Sequence, residues 1–185
     1  MAEAAVRTAE PDDVDQIAHI QVETWRAAYT SLLPDEVLAG LDQAEIAEVW
    51  RETVKQGDAT VHVAVEGTWT VGFCAAGPAP EAEIADADGS LPEDAATVGL
   101  VATLLVEPRW GRRGHGGRLL AAAAAGLRVM GKSRGVVWVP EHDDVSVAFY
   151  ERAGWQRDGM VRTLDAGGRP LREVRLTGDL DLVLT

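Results

Sequence analysis

The residues best suited to chemistry lie in one glycine-rich stretch that joins an apolar run to an alanine-rich run. The apolar run ends at Val106, and the loop beyond it contains four glycines: Gly111, Gly114, Gly116 and Gly117. Apolar residues then recur at spacings of three and four, as on one buried face of a helix: Leu119, Leu120, Ala123, Leu127 and Met130. A strand, a glycine loop and a helix in this order direct backbone amides and the positive end of a helix at one point. The stretch therefore predicts an anion site, which phosphate most often occupies.

Spacing separates this loop from other phosphate-binding motifs. A dinucleotide fingerprint that starts at Gly114 would need its third glycine at the position of Leu119, so it is excluded. Residues 126–133 match the Walker A pattern, but they close a helix and precede a strand, whereas a P-loop follows a strand and opens a helix. We interpret Gly131 as the residue that ends the helix, with Lys132 near the negative end of its dipole. A P-loop nucleotidase stays an alternative function.

Composition and charge exclude several classes of protein. The net charge of −13 argues against a nucleic-acid surface, although residues 107–134 hold seven Lys and Arg against one Glu, a local excess of six that suits a polyanionic small ligand. No apolar run reaches membrane-spanning length and no signal-peptide pattern is present, so we expect a cytoplasmic protein without a membrane partner. The lone Cys74 excludes an internal disulfide. The length predicts one domain over residues 1–185.

Three stretches resemble the GNAT superfamily of N-acetyltransferases, in its bacterial type. Residues 111–116 resemble its pyrophosphate loop, Gln/Arg-x-x-Gly-x-Gly/Ala, with Gly111 in place of the first residue. Residues 143–155 resemble its second signature, Asn-x-x-Ala-x-Ala-Phe-Tyr-Glu-x-x-Gly-Phe, with Asp143, Ser146 and Trp155 at the departing positions. Residues 25–34 resemble a run found in one group of bacterial members. The three stretches follow the order that the family has.

The resemblance implies acetyl-CoA as co-substrate and no metal. It implies main-chain contacts to the cofactor from the end of the central strand and from the glycine loop: Leu104, Leu105, Val106, Arg112, Arg113, Gly114, His115, Gly116 and Gly117. Tyr150 is then the general acid, and Trp25 and Tyr29 line the acceptor pocket or else pack in the core. Many relatives have a base Glu at the position of Leu100, so the base stays open. Glu141 and His142 are candidates for a base that acts through water.

The element order predicts a mixed α/β fold. The resemblance implies a central, twisted, mostly antiparallel sheet that is splayed between strands four and five and flanked by helices. We expect strands at residues 5–9, 61–65, 70–75, 97–106, 136–139, 160–164 and 171–177, and a strand-like tail at Leu180, Leu182 and Leu184. The acidic stretch Pro78–Asp94 is expected to be an exposed, mobile loop, either a negative rim that attracts a cationic amine or a solubilising insert.

The resemblance implies acetyl transfer from acetyl-CoA to a primary amine of a small molecule or peptide by direct attack. The alternative from another class is a non-catalytic acyl-CoA-binding or regulatory module, which Leu100 favours and Tyr150 disfavours. An antibiotic, a polyamine, an amino acid and a protein N-terminus all stay open as acceptors. Homodimers are common among the proteins that the chain resembles.

Overall fold

The computed structural model describes residues 4–182 as seven strands and six helices around one sheet. The strands are β1 (Ala4–Thr8), β2 (Thr60–Glu66), β3 (Trp69–Pro78), β4 (Val98–Val106), β5 (Arg134–Pro140), β6 (Gln156–Asp165) and β7 (Pro170–Asp179). The helices are α1 (Val14–Ala28), α2 (Asp35–Ala39), α3 (Gln43–Gln56), α4 (Glu81–Ile84), α5 (His115–Val129) and α6 (Asp144–Arg152). No helix in this part of the chain is long and apolar enough to cross a membrane.

The strand order is β1-β2-β3-β4-β5-β7-β6, and every neighbouring pair is antiparallel except β4 and β5. A parallel pair needs a crossover connection, which α5 provides. The predicted mixed α/β fold with a mostly antiparallel sheet is therefore confirmed.

The sheet opens between β4 and β5. The two strands pair at only three positions, from Val98 with Arg134 to Leu100 with Val136, whereas β5 pairs with β7 along its whole length. On the β3 side, Ala75 faces Thr103 and Ala76 faces Val101, so Ala102 is an extra residue in β4. Such a bulge bends a strand and increases its local twist. The second half of β4 therefore leaves β5, and the predicted splay is present.

Helix α5 packs one apolar face against the sheet, as its spacing predicts, but Met130, which the spacing also placed on that face, lies beyond the end of the helix and is 40% exposed. Its buried residues are His115, Leu119, Leu120, Ala123, Ala124 and Leu127. Gly99 in β4 makes room for this helix, because a Cβ there would lie 2.7 Å from Leu127 Cδ2. On the opposite face of the sheet, Ile17 and Ile20 of α1 pack in a core cluster with Val63 and Phe73. The sheet is thus buried on both faces near the splay.

The acidic stretch 78–94 is anchored near Ile84 and at Asp94, so the prediction of an exposed, mobile loop was wrong at these two places, whereas residues 86–91 are exposed as predicted. Ile84 is buried, and the carbonyl oxygen of Glu83 accepts a hydrogen bond from Trp138 Nε1 at 3.3 Å. The Arg134 guanidinium donates two hydrogen bonds to Asp94, of 2.6 and 2.7 Å. The partners lie on β5, far away in sequence, so the composition of the stretch alone gave no sign of them.

The strand-like tail was also predicted wrongly. Strand β7 ends at Asp179, and neither Leu180 nor Leu182 lies in a strand, while Leu184 is outside the described residues. Leu180 is buried, and its amide donates to the carbonyl oxygen of Ser133 at 3.1 Å. Single leucines that fill separate gaps beside the sheet produce the same alternation as a strand does.

Candidate active site

The glycine loop between β4 and α5 presents six backbone amides that have no acceptor in the described part of the chain. The Gly111 amide donates to Pro108 O and the Arg118 amide donates to Gly114 O, both at 3.1 Å, which closes the turn and opens the helix. Among residues 4–182, no group accepts from the amides of residues 112–117. Arg112 and Gly114 have φ of 61° and 80°, in the left-handed region that turns the chain sharply. Free amides at a helix N-terminus fit an anion such as a pyrophosphate.

Gly116 and Gly117 differ in what surrounds them. A Cβ at Gly116 would lie 3.2 Å from Phe149 Cε2, so the absence of a side chain lets α5 approach α6 closely. At Gly117, no atom of residues 4–182 lies within 4 Å of such a Cβ. One glycine thus serves packing, and the other leaves space next to its own free amide.

Few cations of the basic segment are free to act on a ligand. Four of its seven form ion pairs with carboxylates: Arg109 with Glu107, Arg113 with Glu66, Arg128 with Asp181, and Arg134 with Asp94. Lys132 Nζ donates to the carbonyl oxygen of Ala96. Within the described chain, Arg112 and Arg118 have no carboxylate partner, and Arg118 Nη1 donates to the carbonyl oxygen of Arg113 at 3.0 Å. The local positive field therefore comes from the loop itself.

The Walker A match is a helix end, as predicted. Helix α5 ends at Val129, Gly131 has a φ of 77°, and its amide donates to Arg128 O at 2.9 Å. Lys132 Nζ donates to the carbonyl oxygen of Ala96, and the amides of Gly131, Lys132 and Ser133 donate to backbone carbonyls. These amides are therefore not free to hold a phosphate.

Glu66, at the end of β2, holds the glycine loop by binding two side chains of the loop. His115 is 1% exposed, and its Nε2 lies 2.9 Å from Glu66 Oε2. Arg113 Nη1 donates to Glu66 Oε1 at 2.9 Å, and its guanidinium lies 4.9 Å from the centre of the Trp110 ring. The side chains of His115 and Arg113 therefore face the protein, which leaves their amides for a ligand. Sequence reasoning missed Glu66, because it stands 47 residues or more from both partners.

The end of β4 offers main-chain groups to the gap. The Glu107 amide donates to Val71 O at 2.9 Å, so it faces β3. Because successive residues of a strand direct their amides to opposite edges, Leu105 also faces β3, whereas Leu104 and Val106 face the gap. Of the three strand residues that were predicted as main-chain contacts, Leu104 and Val106 thus have their amides and carbonyls available in the gap.

Tyr150 lies in the core beside the gap. It is 4% exposed, and its ring lies 5.0 Å from Phe149 and 5.4 Å from Trp155, centre to centre. Val147 and Tyr150 are the buried residues of α6, whereas Val145 on the same helix is 79% exposed. The hydroxyl makes no hydrogen bond with residues 4–182. Burial raises the pKa of Tyr150 well above its ordinary value, and the neighbouring ionisable groups of Cys74, Tyr29 and Asp143 raise it further.

Tyr29 lies near Tyr150, and the Trp25 ring lies next to the ring of Tyr29. Burial raises the pKa of Tyr29 to about 12, with contributions from the charges of Asp143 and Glu173. The Trp25 and Tyr29 rings are 6.0 Å apart. The end of α1, the start of α6 and β7 are therefore neighbours at the opening of the sheet.

A cavity of about 170 Å³ lies at the splay, lined by Glu83, Leu100, Val101, Ala102, Trp138, Arg162 and Glu173. Arg162 Nε donates to Glu173 Oε2 at 2.6 Å, and Arg162 Nη1 donates to Glu83 Oε2 at 2.7 Å. The Arg162 guanidinium also lies 4.4 Å from the centre of the Trp138 ring. Sequence reasoning named Leu100 and placed Glu83 in the acidic stretch, but it missed the other charged residues. They stand on separate strands, so no local spacing relates them.

The two candidates for a water-linked base lie at the end of β5. Glu141 Oε2 accepts from Arg172 Nε at 2.8 Å, and this bond lowers the pKa of Glu141. A carboxylate with a lowered pKa is a weaker base. His142 is exposed in the turn that leads to α6. Asp143 is engaged as the cap of that helix, since it accepts from the Ser146 amide at 3.0 Å.

Comparisons with known proteins agree with this geometry. The model of the acetyltransferase (GNAT) family matches residues 14–155. The N-acetyltransferase YuaI of Bacillus subtilis is 33% identical over 172 residues, which covers 92% of this chain and 90% of that protein.

Solved structures share the fold at low sequence identity. The PaiA N-acetyltransferase of Thermoplasma acidophilum, in complex with coenzyme A, has a TM-score of 0.73 at 14% identity over 96% of this chain and 99% of its own. YncA of Salmonella typhimurium, with its cofactor acetyl-CoA, has a TM-score of 0.69 at 17% identity over 96% of this chain and 94% of its own. The family match, the relative and the fold together show that this chain is an N-acetyltransferase of the GNAT family.

Proposed function

We propose that this protein transfers the acetyl group of acetyl-CoA to a primary amine of a small molecule or peptide, by direct attack of the amine. The observation that carries the proposal is the set of six acceptor-free amides at residues 112–117, next to the gap between β4 and β5. The complexes of PaiA with coenzyme A and of YncA with acetyl-CoA support this choice of co-substrate.

The residues present fit such a co-substrate. The loop amides and the guanidinium groups of Arg112 and Arg118 would hold its pyrophosphate. The main chain of Leu104 and Val106 would pair with its amide-bearing arm in the way a further strand would. Acetyl-CoA supplies a thioester carbonyl with a thiolate as a good leaving group.

The chain's own groups then assist the transfer at two points. The Val106 amide faces the gap, where it would donate to the oxygen that gains charge on attack. The Tyr150 hydroxyl would give its proton to the departing sulfur, and its raised pKa keeps that proton in place at neutral pH. A general acid typically contributes ~10²–10⁴-fold, whereas positioning contributes up to roughly 7–11 kcal/mol. The loop and the gap therefore account for more of the rate than Tyr150 does.

Acceptor binding is proposed for the side of the gap where Tyr29 lies. Its aromatic ring, together with that of Trp25, would form one wall. The position of the family's base holds Leu100, so proton removal from the amine is left to water.

The test combines binding and turnover. Titration calorimetry with acetyl-CoA is expected to give one site per chain, and release of free thiol is expected with at least one amine from a broad panel. Stabilisation by Mg·ATP and not by acetyl-CoA would contradict the proposal. Binding of acetyl-CoA without any thiol release would support the second candidate, an acyl-CoA-binding or regulatory module, which the apolar Leu100 favours.

A further inference from the structure

The cavity at the splay carries charges that the transfer reaction itself does not use. We define the charged cavity by four of its lining residues: Glu83, Trp138, Arg162 and Glu173. The side chains of Glu173, Glu83 and Arg162 are 12%, 27% and 32% exposed. Two carboxylates against one guanidinium leave this half-buried space with one net negative charge. Charges interact more strongly in such a space than in bulk water, so the imbalance favours a second cation.

Trp138 already binds cations on its ring. The guanidinium of Arg162 lies 4.4 Å from the ring centre and that of Arg175 lies 5.6 Å from it. Arg175 does not neutralise the cavity, because Asp158 accepts from its Nε at 2.6 Å and Asp86 lies 3.7 Å from its Nη2. An aromatic face next to two carboxylates suits an ammonium group on a short apolar chain.

The cation that fits here is not the nitrogen that attacks the thioester. A carboxylate next to an amine stabilises the ammonium form, and an ammonium nitrogen has no lone pair with which to attack. The attacking nitrogen needs the apolar surroundings near Tyr150, where burial disfavours charge. A cationic group in the charged cavity therefore belongs to another part of the acceptor.

We propose that the charged cavity binds a second positive group of the acceptor, so that the preferred acceptors are amines that carry a further cationic centre. This rests on the proposed acetyl transfer. At about 30 Å³ for each water-sized group, the cavity of about 170 Å³ holds five or six such groups, enough for a short chain that ends in an ammonium.

The experiment compares three probes of similar size on the full chain saturated with CoA, by titration calorimetry. 1,4-Diaminobutane carries a second ammonium, n-pentylamine carries a methyl group in its place, and 5-aminopentanoate carries a carboxylate. We expect the diamine to bind roughly tenfold more tightly than pentylamine, the effect of one additional charge-assisted contact, and the amino acid to bind least tightly. Thiol release with acetyl-CoA and the same probes is measured in parallel.

Three variants change the charge of the cavity, and a fourth variant, outside the cavity, is the control. Glu83→Gln and Glu173→Gln each remove a carboxylate charge while keeping the shape, and each is expected to abolish most of the preference for the diamine. Arg162→Gln increases the net negative charge and is expected to enlarge the preference. Glu81→Gln removes a charge from an exposed position of the same short helix and is expected to change nothing.

The outcomes separate this proposal from the proposed function. Equal binding of the diamine and pentylamine, or no binding of the diamine, overturns the charged cavity as a cation site even if thiol is released. Tightest binding of 5-aminopentanoate, lost in Arg162→Gln, overturns it in favour of a carboxylate site. A diamine preference that depends on Glu83 and Glu173 supports it even if no probe is acetylated, in which case the transfer function fails separately.

Discussion

Replacing Tyr150 by Phe tests the proposed proton donor with little disturbance of the fold. The Tyr150 hydroxyl makes no hydrogen bond with residues 4–182, so its removal breaks none of the bonds that contribute ~0.5–1.5 kcal/mol each. The ring keeps its contacts with Phe149 and Trp155. We therefore expect an unchanged melting temperature and an unchanged affinity for acetyl-CoA.

The turnover number of Tyr150→Phe is expected to fall by roughly 10²-fold, about 2.7 kcal/mol in barrier height. This is the lower end of the usual range for a general acid, because a thiolate leaves readily without a proton. The pH dependence follows from the same residue. A phenol donates only while protonated, and burial raises the pKa of Tyr150, so the wild-type rate is expected not to decline as the pH rises toward 10.

Stopped-flow or continuous thiol detection measures the turnover number, and calorimetry measures the affinity for acetyl-CoA. Tyr29→Phe is the matched control, since it removes a phenol with a raised pKa beside the same gap and should act on the KM of the acceptor. A turnover number that stays at the wild-type level would refute the role of Tyr150 as acid. A loss of acetyl-CoA affinity as large as the loss of rate would assign Tyr150 to binding instead.

Three further predictions concern the glycine loop, the Glu66 side chain that holds it, and the anchor of the acidic stretch. Gly114→Ala places a side chain at a φ of 80° and is expected to weaken acetyl-CoA binding by roughly tenfold, because it adds ~1–2 kcal/mol of backbone strain. Gly131→Ala, at a φ of 77° but outside the loop, is the control and should leave the affinity measured by calorimetry unchanged. Equal losses of affinity in both variants would refute a local effect. Glu66→Gln should lower the melting temperature and raise the Kd for acetyl-CoA severalfold, because it weakens the hydrogen bonds to Arg113 and His115, and bonds to a charged group contribute ~1.5–3 kcal/mol each. An unchanged Kd would contradict the role of Glu66 in positioning the loop. The hydrogen bond from Arg134 lowers the pKa of Asp94 in the folded protein. The ion pair therefore contributes its full stabilisation of the fold at pH values above the ordinary pKa of 3.8, and this contribution is lost as the pH falls through the folded-state pKa. Urea unfolding of Asp94→Asn should show a shallower acid-side loss of stability than wild type, and identical slopes would contradict this.

The loop and the helix after it could be predicted from the sequence because their signals are local. Spacings of three and four placed Leu119, Leu120 and Leu127 on one face of α5, and all three are buried. The glycines before His115 marked where the chain turns, and Gly114 does have a positive φ. Such patterns succeed because each residue is judged against neighbours a few positions away.

The burial of Tyr150 and the anchoring of the acidic stretch depend on distant partners, so no local pattern predicted them. Tyr150 is buried because it packs in one core cluster with Cys74 and Val174. The acidic composition of residues 78–94 suggested exposure, yet arginines on β5, β6 and β7 neutralise part of it.

The sequence by itself determined the elements, the glycine loop and, through its resemblance, the family. Only the tertiary structure decided which charges meet. Arg162 and Glu83 are 79 positions apart in the sequence, yet Arg162 Nη1 lies 2.7 Å from Glu83 Oε2 in the wall of the charged cavity. It also decided that Glu66 holds the loop and that Leu105 faces β3 rather than the gap. Local spacing fixes the direction of a side chain relative to its own element, whereas the groups that it meets depend on how the splayed sheet arranges all the strands.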